Sequence, residues 1–422
     1  MSGSHQPDRE PDSVLLHGAR CAIGPQSSEF VSLECAGGRI ERILRGSCKF
    51  PRAGCALVNL TGFLLLPGLI NAHDHLEFAL FPRLADPPYR NYIEWGADIH
   101  RKFVDAIALH RSVPKDVRIA WGGIRNLLCG VTTVSHHNPL HPIMLRDDFP
   151  VRVIRAYGWA HSPALGGDVR VARSATPDNT PFILHACEGT DWIARQELLE
   201  LDRLGLLDEH AVLVHGLALR ERDVSLLIER RASLITCPSS NQFLFGVLPD
   251  LRLLRSIPNL SLGNDSPLTA AGDLLDEIRF AIDACGVDPT LAYAMVTTAP
   301  AAILRLTQGE GELRQGGFAD LIAVRDTSLG PGDRLRSLAM QDVELVMIGG
   351  SVRLASQQVL ERLPARAQQG LEPLSVDGAV RWLRAPVANL LRRAEEVLGP
   401  GQVRLGARTV SIPLLTGAVH VA

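Results

Sequence analysis

His73 and His75, in "LLLPGLINAHDHLEFALF", are the first residues along the chain whose type and spacing could do chemistry. Side chains alternate between the faces of an extended strand, so these two rings share a face and Asp74 takes the other. Neighbouring imidazoles on rigid backbone suit a borderline-soft divalent metal such as zinc. Two surface histidines at a strand end would give the same pattern. The apolar run from Leu64 argues for a buried strand instead, and P-G-L-I-N is a turn-prone approach to a functional loop. Further downstream, apolar runs end in H-A-C-E (His185, Glu188), V-H-G (His215) and G-N-D-S (Asp265).

These residues need a scaffold that brings distant strand ends together. Between about residues 61 and 312, strand-like runs such as "GVTTVSHH", "VRVIRAYGWAH", "PFILHACEG", "AVLVHGLAL" and "ASLITCPSSN" alternate with helical stretches such as "DWIARQELLELDRLG". Repeated β-then-α units imply a parallel sheet. If the sheet closes into a barrel, chemistry belongs at the C-terminal strand ends, where each of these runs carries its polar residue. Residues 14–60 and 313–372 are β-rich, and the simplest account is one β-sandwich built from both parts. Residues 373–422 add a helix, "GAVRWLRAPVANLLRRAEEVL", and a hairpin, "QVRLGARTVSIPLL"; residues 1–13 are polar and expected to be disordered.

At 422 residues the chain can bury a large core. A net charge of −3 gives no sign of a nucleic-acid or anionic-membrane partner. No run reaches transmembrane length, and no secretory signal opens the chain. Eight scattered cysteines without C-x-x-C pairs favour a reducing, cytoplasmic compartment. The composition is compatible with a homodimer.

In order and setting, H-D-H, H-A-C-E, V-H-G and G-N-D-S resemble the motifs of the amidohydrolase superfamily, in its mononuclear branch of cytosine, guanine and S-adenosylhomocysteine deaminases and triazine hydrolases. The resemblance covers roughly residues 14 to 355. It implies a TIM-like (β/α)8 barrel with a composite β-sandwich, one metal held by His73, His75, His185 and Asp265, and catalytic roles for Glu188 and His215. The chemistry agrees. Three imidazoles and a carboxylate leave a position open for water, whose pKa a metal lowers towards about 7. Asp265 can accept the water's proton, Glu188 can carry it to a ring nitrogen or leaving group, and His215 can hydrogen-bond the attacking hydroxide or the developing oxyanion.

Binuclear members of the superfamily use a carbamylated lysine in mid-barrel. The only lysines here are Lys49, Lys102 and Lys115, which points to a single metal, zinc or iron. The chain departs from the family between His161 and His185, where the residues are too few for the usual units; one barrel unit is expected to be eroded.

Substrate contacts are less constrained. His136 and His137 end one strand, and one of them should face the barrel mouth. His161 and Asn241 end two others, Asn241 being better suited to bracing a loop. Tyr89, Tyr92 and Trp95 could wall a planar ligand, and each could equally be ordinary packing. His17, His100, His110, His141, His210 and His420 have no motif context and read as structural or exposed. The expected reaction is hydrolytic deamination of an amino-substituted nitrogen heterocycle, a small molecule. The same site could instead release an amide, an N-alkylamine or a halide, whereas a non-catalytic assembly protein would be expected to have lost ligands.

Overall fold

The computed structural model describes residues 13–46, 52, 54–270 and 272–414; of residues 1–13, expected to be disordered, 1–12 lie outside the described residues and Ser13 opens a strand, Ser13–His17. Parallel strands dominate the centre: β1 (Leu69–Asp74), β2 (Val131–His136), β3 (Arg152–Val153), β4 (Gly158–Ala160), β5 (Phe182–Ala186), β6 (Ala211–His215), β7 (Ser233–Thr236) and β8 (Leu260–Leu262). They pair in chain order, β1-β2-β3 and β4-β5-β6-β7-β8. Nearly every residue in them is buried, as expected of strands covered on both faces.

Two connections decide where the functional strand ends lie. The Asp265 N–H, just beyond β8, donates to His73 O at 3.1 Å, so the last parallel strand returns against the first. Only residues 154–157 separate β3 from β4. A parallel crossover needs a dozen residues or more, so β3 and β4 run on as one line that pairs first with β2 and then with β5. Between His161 and β5 there is one six-residue helix, Val169–Ser174.

The longest excursion leaves β1 and carries three helices before β2: α1 (Tyr92–Lys102), α2 (Val104–Ser112) and α3 (Lys115–Leu128). Asn91 caps α1 by accepting from the Ile93 and Glu94 N–H groups. The α3 helix is buried along most of its length, and Gly122 is needed there because a Cβ would meet Leu76 O at 2.3 Å.

Beside the parallel strands lies a mixed sheet of 13 strands. Its two chain segments meet where Phe63–Pro67 pairs antiparallel with Leu321–Arg325. The C-terminal region joins the same sheet through Ala379–Leu383, which pairs with Ser351–Ala355. The long helix read over "GAVRWLRAPVANLLRRAEEVL" therefore begins later than expected, at Val387. Pro386 accounts for this: its predecessor is pushed towards extended backbone, and the residues before it pair as a strand. The expected terminal hairpin is Arg404–Leu405 with Arg408–Ser411.

Candidate active site

The C-terminal ends of β1, β5, β6 and β8 converge. His73 Nε2 and His185 Nε2 lie 3.1 Å apart. Asp265 Oδ1 is 3.7 Å from His73 Nε2 and 3.6 Å from His75 Nε2. Ligands at about 2.0–2.1 Å in a tetrahedron stand roughly 3.3 Å from one another, so this donor set has the spacing of a zinc or iron site. A hydrogen bond between the two rings would account for their 3.1 Å approach alone, but not for the Asp265 carboxylate standing 3.6–3.7 Å from both His73 and His75 on the same side. The donor set therefore fits one divalent metal.

Around it stand the other strand-end groups. His215 Nε2 is 3.6 Å from Glu188 Oε2, and both side chains are buried. The three short segments turn through strained backbone: Cys187, His215 and Asp265 have φ of 56°, 79° and 55°, a region that side chains other than glycine rarely occupy. Tertiary bonds hold them there. Cys187 N–H donates to Glu197 Oε2 at 2.6 Å, and the Asp265 carboxylate accepts from Ser240, Thr269 and the Ser266 N–H.

Protonation states follow from burial. Desolvation, reinforced by neighbouring imidazoles, holds His75 and His185 well below the usual histidine range, so both rings are neutral, as ligation requires. Burial takes His215 down to about 4. It pushes the Glu188 carboxyl well up, aided by Asp265 and Glu197. Burial would also raise Asp265, but the adjacent histidines, His73 first, outweigh it and keep this carboxyl well below its ordinary value.

Asp74 faces away from the site, as the alternation of β1 requires. Both of its oxygens accept from Arg125 Nη2 at 2.9 Å, and Arg125 also donates to Asp265 O. This buried ion pair in α3 ties β1 to the end of β8. Asn71 and Asn126 complete the network.

Over the cluster opens a cavity of about 500 Å³, lined at its floor by His75, His185, Glu188, His215 and Asp265. Of the expected substrate contacts, His161, Tyr92 and Trp95 line this cavity, whereas four others do not. His136 turns to the opposite side of β2, where its Nδ1 accepts from Leu76 N–H and its Nε2 lies 3.7 Å from Glu77. His137 stacks on His185 with centroids 4.4 Å apart, its Nε2 bonded to Ala160 O. Asn241 accepts from His215 Nδ1 at 3.1 Å and so orients that ring. Tyr89 also turns away, its hydroxyl on Asp98.

Sequence reasoning missed several groups. Asn138 lines the cavity, and its Nδ2 lies 3.2 Å from His75 Nδ1. Its position directly after the two strand-end histidines was the available signal. Glu197 accepts from both Cys187 N–H and the Tyr92 hydroxyl, joining β5 to α1; nothing in a helical "RQELLE" announces this. His100, read as structural or exposed, lines the exposed outer end of the cavity with Arg111.

Residues 160–353 match the amidohydrolase family. A protein of Moorella thermoacetica named 5-methylthioadenosine/S-adenosylhomocysteine deaminase is 30% identical over 364 residues, covering 72% of this chain and 84% of that relative. One of the same name from Syntrophobacter fumaroxidans is 28% identical over 374 residues, covering 75% and 80%. Among solved structures, an adenosine deaminase from Xanthomonas campestris with bound zinc superposes with a TM-score of 0.68 at 19% identity, covering 92% of this chain and 98% of that one. A triazine hydrolase variant gives 0.71 at 15% identity, covering 92% and 99%. The relationship to the Moorella protein, over 72% of this chain and 84% of that one, and the matched segment lead to one assignment: the chain belongs to the amidohydrolase family.

Proposed function

We propose that this chain is a metal-dependent hydrolase of C–N bonds that deaminates an amino-substituted nitrogen heterocycle, with the amino group of an adenine-type ring as the first candidate. The observation that carries the reading is the convergence of His73, His75, His185 and Asp265 on one point, with Glu188 and His215 beside it on a cavity floor. Support for the ring comes from relatives named as deaminases of adenosine derivatives. The reading includes a TIM-like barrel of seven staves, with β3 and β4 counted as one, flanked by the composite sheet of residues 14–60 and 313–372 with its 373–422 extension. No helix among the described residues is long and apolar enough to cross a membrane, and the cysteines among them are free; both fit a cytoplasmic enzyme.

His73, His75, His185 and Asp265 would hold a single metal, zinc first and iron second. Bound there, it would make hydroxide available near neutral pH by lowering the pKa of water. The protein's own groups handle the remaining protons. The His215 Nδ1–H donates to Asn241, so Nε2 presents its lone pair towards the cavity and can orient an attacking water. Glu188, kept protonated by burial, can donate to the ring nitrogen as the attacked carbon becomes tetrahedral; the carboxylate left can then take the proton of the added hydroxyl and pass it to the amino group, so that ammonia leaves and the carbon keeps a carbonyl oxygen. The test is metal analysis beside an ammonia-release screen of aminopurines, aminopyrimidines, pterins and triazines, run against amides, ureas and chlorinated heterocycles. About one metal per chain and turnover in the first panel are expected; turnover confined to the second panel would replace deamination with another hydrolysis.

A further inference from the structure

Above its polar floor the cavity changes character. Phe81, Leu84, Ile99, Ile107 and Leu268 form an apolar cluster of their own, separate from the cores of the parallel strands and the mixed sheet, and all five line the cavity. Phe78 stands at the junction, its ring centroid 6.0 Å from that of His75 and 5.4 Å from that of Phe81. Three polar atoms beside this sleeve are already committed. Trp95 Nε1 donates to Leu84 O at 2.9 Å, the Tyr92 hydroxyl donates to Glu197 at 2.6 Å, and Thr269 Oγ1 donates to Asp265 at 3.0 Å. At the exposed rim beyond it stand Arg111 and His100.

We infer that the heterocycle acted on here carries an apolar substituent of several carbons, which lies in the Phe81–Leu84–Ile99–Ile107–Leu268 sleeve, and that zwitterionic or polyhydroxylated substituents are disfavoured. The inference rests on the deaminase reading and narrows its substrate. Apolar walls around an open space gain from burial only when apolar surface enters. A hydroxyl or carboxylate in the same place would give up water and find its potential partners already bonded. The volume, about 500 Å³, is that of a site for a drug-sized molecule and leaves room beyond a lone ring.

Two measurements on the metal-loaded protein separate this inference from the reading beneath it. The first needs no heterocycle: straight-chain alcohols from pentanol to octanol, and matched ω-hydroxy carboxylates, are titrated while the fluorescence of Trp95 is followed, with Trp95→Phe as the control. Saturable binding that tightens about three- to fourfold per methylene, with the carboxylates weaker, is expected. Absence of saturable binding, or carboxylates binding equally well, overturns the sleeve. The second measures ammonia release from 9-alkyladenines of rising chain length, their carboxylate-ended counterparts and adenosine. The value of kcat/KM should climb with apolar length, and Ile107→Asn or Leu268→Asn, each checked for retained metal and a cooperative melting transition, should flatten the climb. A profile flat in the unmodified protein overturns the inference. If the alcohols bind as expected but no compound releases ammonia, the deaminase reading falls and the apolar-ligand site stands.

Discussion

On the floor of the cavity, several groups are held by a second one: Asp265 by Ser240 and Thr269, His215 by Asn241, and the backbone beside Glu188, at Cys187, by Glu197. In the same cavity, the sleeve, drawn from the segment before α1, from α1 and α2 and from the turn after β8, is held by side-chain packing. The difference teaches where precision is required. Metal and proton chemistry depends on atoms placed to within a fraction of an ångström, so the floor is built on strand ends and cross-linked. Apolar contact is non-directional, so the sleeve can be assembled from connecting segments and helices outside the strand layer.

Substitutions can sharpen or break this contrast. The largest effect is expected from His185→Ala, which removes a donor at the point of convergence; metal content measured by elemental analysis should fall to background and activity with it. Glu188→Gln should keep its metal and lose on the order of 10²-fold or more in turnover. Metal loss in both variants would mean that Glu188 is a ligand and that the floor has been misread. Arg125→Leu leaves Asp74 buried and unpaired, and should cost about 3–5 kcal/mol in chemical denaturation; a small change would show that the pair does not brace β1.

A fourth variant tests burial through pH. Desolvation, helped by the Lys115 ammonium, takes the His136 imidazole down to about 3. The unfolded chain binds that proton near pH 6.5 and the folded chain only near 3, so stability rises with pH across this window and is lost as pH falls through it. The slope contributed is on the order of 1 kcal/mol per pH unit. Exchanging His136 for Asn keeps an acceptor for Leu76 N–H while removing the titration, so urea midpoints measured from pH 6.5 downward should fall less steeply than in the unmodified protein. The smallest effect belongs to the sleeve: Ile99→Ala should raise KM about fivefold with metal content unchanged, and loss of metal would show that floor and sleeve are not separable.

How much of this could be read from the chain depended on the range of the contact. The H-D-H pattern was legible because strand alternation is a local rule, and it also put Asp74 on the far side. The same rule left His136 and His137 open, since parity says which ring faces inward but not that Ala160 O will occupy His137. Arg125 and Glu197 were invisible for a different reason. Each meets its partners through tertiary approach, Arg125 reaching Asp74 from 51 residues away and Glu197 reaching Tyr92 from 105. The sequence placed a shortened unit between His161 and His185, whereas the continuous passage from β3 to β4 lies earlier, at residues 154–157. The sleeve had no signature, because its residues come from a connecting segment, two helices and the turn after β8, and no single periodicity links them.

The excursion between β1 and β2 has one more consequence. Four of the five sleeve residues, Phe81, Leu84, Ile99 and Ile107, fall within a stretch of 27 positions of the chain that contains none of the converging donors. Ligand preference and reaction chemistry are thus written on separable lengths of sequence. A relative that exchanged this one segment would inherit a different appetite while keeping the same reactive centre, and a protein engineer could graft it as a single cassette.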